Sequence, residues 1–187
     1  IPFTPGRVDA LEGSMNAASW SVMEPRHDGF RNYMADLGFM SPSQALIDKS
    51  DMLNLSVSEM TVLLGGMRAM NANAYASDRG VLTDRPGVLS NDFFVNLLDM
   101  NTVWVPSSEA YVFEGRDRLT GDLRWTATEF DLVFGSNSEL RAVVEFYAFD
   151  ESRQRFIEDF ASAWTKVMDA DRFDIEDSGN VVVSVAQ

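Results

Sequence analysis

The stretch from Leu55 to Met67, LSVSEMTVLLGGM, constrains the fold of this chain more than any other. Ser56 followed three residues later by Glu59 is the pattern of a capping box, in which each side chain satisfies a backbone N–H at the other's position. Behind it, Met60, Leu63, Leu64 and Met67 recur at helical spacing and predict a helix with one apolar face. Such a face needs other elements to pack against, which points to a layered, core-forming domain. Gly65-Gly66 interrupts the apolar run without the lysine of a phosphate-binding loop, so it is no phosphate cradle.

The neighbouring segments supply the partners. Ser41-Pro42 reads as a cap followed by proline at the first helical position, opening a helix through Ala45 and Leu46 towards Met52. Before it, Pro2, Pro5, Gly6, Gly13, Pro25 and Gly29 predict an extended entry segment, with a short helix from about Asp28 carrying Phe30, Tyr33, Met34 and Leu37. Gly80, Pro86 and Gly87 mark a loop, after which Ser90 or Asn91 caps a helix burying Phe94, Leu97 and Leu98. Val103 to Val105, Tyr111 to Phe113 and Leu123 to Thr128 have the composition of short strands, with a turn at Leu119 to Asp122. Two further helices are predicted, one carrying Leu140, Val143, Val144 and Tyr147, the other Phe156, Phe160, Trp164 and Val167. The expected fold class is mainly α with a small antiparallel β ribbon. No internal repeat or low-complexity tract interrupts it.

Composition narrows the function classes. The 187 residues, 45% of them hydrophobic, suffice for one domain with a core. No run approaches the roughly 18 apolar residues of a membrane span, and the N-terminus lacks the regions of a signal peptide, so no membrane partner and a cytoplasmic address are expected. The absence of cysteine excludes disulfides, thiolate nucleophiles and cysteine-based zinc sites. Fifteen basic against 29 acidic residues give a net charge of −14, a poor surface for nucleic acid. That charge fits either adaptation to high salt, where screening relieves self-repulsion, or simply an acidic soluble domain.

Few residues are candidates for chemistry. His27 is the only imidazole and sits in EPRHDGF, a context that suits a surface or capping histidine better than a catalytic one. The acidic run DADRFDIEDSG from Asp169 has the oxygen content of a calcium loop but fails its pattern. Phe173 falls at the third ligand position and Asp174 at the turning glycine, and no glutamate closes the loop, which leaves a solvated terminal segment.

LSVSEMTVLLGGM and GVLTDRPGVLSNDFFVNLLDM (Gly80 to Met100) together resemble the proximal half of a class I haem peroxidase. The first string is similar to the family's proximal helix, which ends in Gly-Ala-His or Gly-Gly-His. Here the run is Gly65-Gly66-Met67, with a thioether where the iron-binding imidazole belongs. The family's proximal site is a triad of His, Trp and Asp; the resemblance places Met67 at the first, Leu82 at the second and Asp131 at the third. Only the aspartate survives, and its alternative reading is a helix cap. IPFTPGRVDA at the start resembles the segment leading into the proximal half, and Asp131 to Asp174 resembles the end of the C-terminal, haem-free domain of bacterial-type catalase-peroxidases. The resemblance thus covers residues 1–174, a haem-free peroxidase-like domain, and leaves 175–187 as a tail of unassigned role. The Arg, Trp or Phe and His of a distal helix are missing, and the chain starts with Ile1, both in keeping with a fragment.

The resemblance implies a structural segment of a bifunctional catalase-peroxidase, an enzyme of oxidative stress that dismutates hydrogen peroxide and oxidises small donors. Haem b and the catalytic residues would lie in a separate N-terminal domain of the same protein. This segment would support that site and a homodimer, with no catalytic, cofactor-binding or metal-binding residue of its own. Two alternatives stand beside it: a free-standing, non-catalytic acidic binding module derived from a peroxidase, and an active peroxidase with Met67 as iron ligand. Thioethers ligate iron in some cytochromes, but in an apolar helical stripe methionine is ordinarily core filling. Packed without their distal half, the helices would expose apolar surface and associate.

Overall fold

Two capping boxes open the first two helices. In the computed structural model, which describes residues 41–73, 77–170 and 172, the Ser41 N–H donates to Gln44 Oε1 (2.9 Å) and the Gln44 N–H to Ser41 Oγ (3.3 Å). Pro42 follows, where a missing N–H costs nothing, and α1 runs Pro42–Met52. Ser56 and Glu59 repeat the arrangement at 2.7 and 3.2 Å to open α2, Val57–Ala69. Each helix stops at an asparagine in the left-handed region, Asn54 at φ 53° and Asn71 at φ 52°. Beyond them the Leu55 N–H donates to Ser50 O and the Ala72 N–H to Met67 O, both at 2.9 Å, the long return bond of a Schellman ending.

After a loop come the short α3, Asp92–Leu97, and a three-stranded antiparallel sheet of β1 (Thr102–Pro106), β2 (Val112–Asp117) and β3 (Leu123–Thr128) in that spatial order. The chain then closes with α4 (Glu129–Ser136), α5 (Ser138–Ala148), a 3₁₀ turn at Asp150–Ser152 and α6 (Arg153–Asp169). The mainly helical class and the small antiparallel sheet agree with expectation. The entry segment and the short helix expected near Asp28 lie outside the described residues.

Three local expectations are sharpened by the structure. α2 is not a one-faced helix: Thr61, Val62, Gly65, Gly66, Arg68 and Ala69 are buried along with Met60, Leu63 and Leu64. It is the central helix and packs against α3, α5 and α6. Of the two caps expected for α3, Ser90 accepts from the Asp92 N–H through its hydroxyl (3.4 Å), whereas Asn91 makes no cap bond and its side-chain amide donates instead to Tyr147 O at the end of α5 (3.0 Å). β2 continues to Asp117, beyond the apolar stretch, with Gly115 in mid-strand. That glycine pairs with Trp104 on one side and Trp125 on the other, and a Cβ there would lie 2.8 Å from the Trp104 ring.

The core is aromatic where α2, α3, α5 and α6 meet. Phe94 meets Phe156 edge to face at 5.3 Å and Tyr147 at 5.8 Å, and the series continues through Phe160 to Trp164. Offset and edge-on pairs of this kind favour ring quadrupoles and bury large areas. Gly65 and Gly66 make the approach possible. A methyl group on Gly65 would overlap the Phe94 ring, and one on Gly66 the Phe160 ring. The glycine pair that reads from sequence as an interruption is the floor on which two phenylalanines lie.

Candidate functional site

A fully buried ion pair lies where the last turn of α2 meets the first turn of α4. Arg68 Nε donates to Asp131 Oδ1 at 2.7 Å, and both side chains are 0% exposed. The other carboxylate oxygen, Oδ2, accepts from the Thr128 N–H and the Thr128 hydroxyl, each at 2.8 Å, completing the capping box that starts α4. One Arg68 terminal nitrogen, Nη1, donates to Asn73 Oδ1 at 2.6 Å, and the guanidinium carbon lies 5.7 Å from the Phe130 ring centroid. Asn73 in turn donates to the carbonyls of Ser77 (2.8 Å) and Arg79 (3.0 Å).

Gly80 closes the pocket. It sits at φ 77°, and a Cβ there would lie 2.6 Å from Arg68 Nε and 2.7 Å from both Asp131 oxygens. Its N–H donates to Thr126 O of β3 at 2.8 Å. The cluster therefore ties together α2, the segment after it, β3 and α4. Arg68 Nη2 has no hydrogen-bond partner among the described residues.

Of the positions singled out from sequence, Asp131 is in this cluster, and its reading as a helix cap is what the structure shows. Leu82 is fully buried in the hydrophobic core, its carbonyl accepting from Asn96 Nδ2 at 2.8 Å. Met67 is half-buried and packs against the same core. His27 and the acidic run, apart from Asp169, Ala170 and Arg172, lie outside the described residues. Arg68 is the residue that sequence reasoning missed. A basic residue in the last turn of a helix reads as a solvated partner of the helix dipole, and the Thr128-x-x-Asp131 pattern of a capping box was the one local signal pointing to its anionic partner.

The family model for peroxidases matches residues 1–150. The chain belongs to the peroxidase family. It is 58% identical over 179 residues to catalase-peroxidase 2 of Burkholderia ambifaria (strain MC40-6), covering 95% of this chain and 24% of that protein. It is 60% identical over 178 residues to the catalase-peroxidase of Shewanella woodyi, and 57% identical over 177 residues to catalase-peroxidase 2 of Legionella pneumophila (strain Lens), in each case 94% of this chain and 24% of the relative. The chain thus spans about a quarter of the length of the curated relatives it matches.

Haem is the group this peroxidase family implies, and the donor set of the pocket does not fit its iron. In the His-Trp-Asp triad that the resemblance implies, the aspartate would accept the second N–H of an axial imidazole. Both Asp131 oxygens are already engaged, by a guanidinium and by a helix cap. Met67, the residue that the resemblance places at the ligand position, packs its side chain on the core. Among the described residues no group of three or more His, Cys, Asp or Glu could hold a metal ion, and no helix is long and apolar enough to cross a membrane.

Two other polar contacts fasten α6 to its neighbours. Lys166 Nζ donates to both Glu59 oxygens (3.1 and 2.9 Å) and to Asn54 O (2.6 Å), clipping the end of α6 to the head of α2. Partial burial pushes the Glu59 carboxyl up, but the Ser56 N–H and the Lys166 ammonium outweigh it and hold its pKa below the ordinary value. The Tyr147 hydroxyl donates to Asp159 Oδ2 (2.7 Å), which also accepts from Arg155 Nε (2.8 Å), at the edge of an open groove of about 670 Å3 between α2, α5 and α6. Burial and then the Asp159 carboxylate push the phenol well above its usual pKa, so it stays a neutral donor. These contacts fix helices in place and present no nucleophile or free base.

Proposed function

We propose that the chain is a supporting, non-catalytic segment of a catalase-peroxidase: residues 1–174 form the proximal half of its haem-free C-terminal domain, and 175–187 a tail. The observation that carries this reading is the commitment of both Asp131 oxygens to Arg68 and to the α4 cap, which leaves that carboxylate engaged and not free to orient an iron-bound imidazole. The matches to catalase-peroxidases about four times as long support placement within a larger enzyme. In that enzyme haem b and the peroxide-cleaving residues reside in an N-terminal domain, hydrogen peroxide and small donors are the substrates, and this segment contributes to the shape of the active site and to a homodimer in the cytoplasm.

The mechanism is one of packing. The aromatic core of α2, α3, α5 and α6 and the buried ion pair make a rigid body, and a rigid neighbour holds catalytic groups in place. A displacement of about 1 Å in such groups costs on the order of a hundredfold in rate. Deleting this segment from the full-length enzyme is expected to lower peroxide turnover and haem retention while every catalytic residue remains. Full turnover by the truncated enzyme would refute the supporting role.

A further inference from the structure

The surroundings of the Arg68 guanidinium have the makings of a ligand site: an anionic oxygen, a neutral amide oxygen and an aromatic face arranged about a planar cation. Asp131 Oδ1 lies 2.7 Å from Nε, Asn73 Oδ1 2.6 Å from Nη1, and the Phe130 ring 5.7 Å from the guanidinium carbon. Charge-assisted bonds to a carboxylate and contact with a ring face are how proteins recognise guanidinium-like cations in general. We propose that the pocket between Asp131, Asn73, Phe130 and Gly80 is a site for a small planar cation, occupied in this chain by its own Arg68 side chain as a built-in ligand.

Three features support a site rather than incidental packing. A carboxylate at 0% exposure carries a large desolvation cost unless a cation meets it, so Asp131 requires an occupant whatever its identity. Gly80 holds a positive φ and leaves no room for a Cβ beside Nε and the carboxylate, so the backbone is moulded to the cation. The occupant is also held at two of its three nitrogens, on different sides of the guanidinium: Nε and Nη1 are bonded, while Nη2 has no partner among the described residues. A separate planar cation with N–H donors on two sides, such as methylguanidinium or imidazolium, offers comparable donors. The cation site is independent of any role in a larger enzyme.

Chemical rescue tests this. Arg68→Ala in the 187-residue chain removes the built-in cation and leaves its cavity. Melting followed by circular dichroism should then show a saturable rise on adding methylguanidinium or imidazolium at matched ionic strength, about 5–10 °C at a hundredfold excess over the dissociation constant. Wild type should show no such rise, and neither should Arg68→Ala with urea, the neutral planar analogue, or with tetramethylammonium, which is not planar. The rescue should vanish in Arg68→Ala/Asp131→Asn. Rescue absent, equal with urea, or surviving the loss of Asp131 overturns the proposal, as does an Arg68→Ala chain that stays unfolded in every additive. Arg68→Gln, which keeps bulk and an amide donor without charge, is the second variant: it should melt well below wild type, and a melt equal to wild type would show that no cation is needed.

Discussion

Asp131→Asn removes one charge from a pair that lies wholly out of water, and the structure fixes what that should cost. In wild type, Oδ1 neutralises Arg68 and Oδ2 accepts two bonds from Thr128. Asparagine retains an oxygen for the cap but strands the guanidinium, which Asn73 and the Phe130 ring solvate only in part. Breaking one side of a buried pair costs about 3–5 kcal/mol, against a total of about 5–15 kcal/mol for a typical domain. For a chain of this length each kcal/mol moves the melting temperature by about 2–4 °C, so the midpoint should fall by about 6–20 °C. Urea unfolding followed by tryptophan fluorescence measures the free energy directly. Removing both charges with apolar side chains of similar volume, Arg68→Met/Asp131→Leu, should be less damaging than Asp131→Asn alone, because no uncompensated ion is left behind. An Asp131→Asn variant within about 1 kcal/mol of wild type, the range of an exposed pair, would refute the reading of Arg68–Asp131 as a buried, mutually dependent pair.

Other consequences can be checked on the same chain. Gly66→Ala gains about 1 kcal/mol of helix propensity but overlaps the Phe160 ring, and overpacking costs about 1–3 kcal/mol; calorimetry should show net destabilisation. Because the folded-state pKa of Glu59 lies below its unfolded value near 4.5, its contribution is full above that value and is lost as pH falls through the folded pKa. Lys166→Met should flatten the acid limb of stability against pH and cost about 0.5–1 kcal/mol at neutral pH, less in high salt. In an ultraviolet pH titration, the Tyr147 phenol should resist ionisation above pH 10, and Tyr147→Phe should remove that resistant phase. With a net charge of −14, moderate salt should raise the melting temperature; a flat response would count against relief of self-repulsion.

Much of the fold was legible because its signals are local. Ser41, Pro42, Ser56 and Glu59 announce two helix starts within four residues each, and Phe156, Phe160 and Val167 mark α6 by their spacing alone. α4 was not read as a helix from local pattern. Its residues, EFDLVFGS, follow β3 without a break, and the apolar run has no polar face to give it a period. The site divides the same way. Asp131 was reachable through the family resemblance and as a cap, whereas its counterion is 63 positions away on α2. No local periodicity connects residues that meet only through the tertiary fold. Gly65 and Gly66 were visible as an exception to the helix pattern, but the reason for them belongs to Phe94 and Phe160, side chains of two other helices.

The central claim, that this segment supports a haem enzyme without holding haem, is tested most directly by titrating the purified chain with haemin and following the Soret region, with peroxide consumption measured alongside. The account predicts no saturable one-to-one complex and no turnover above free haemin. A tight stoichiometric complex that consumes peroxide would contradict it, and would mean that Met67 or His27 supplies an iron ligand despite the commitment of Asp131 to Arg68.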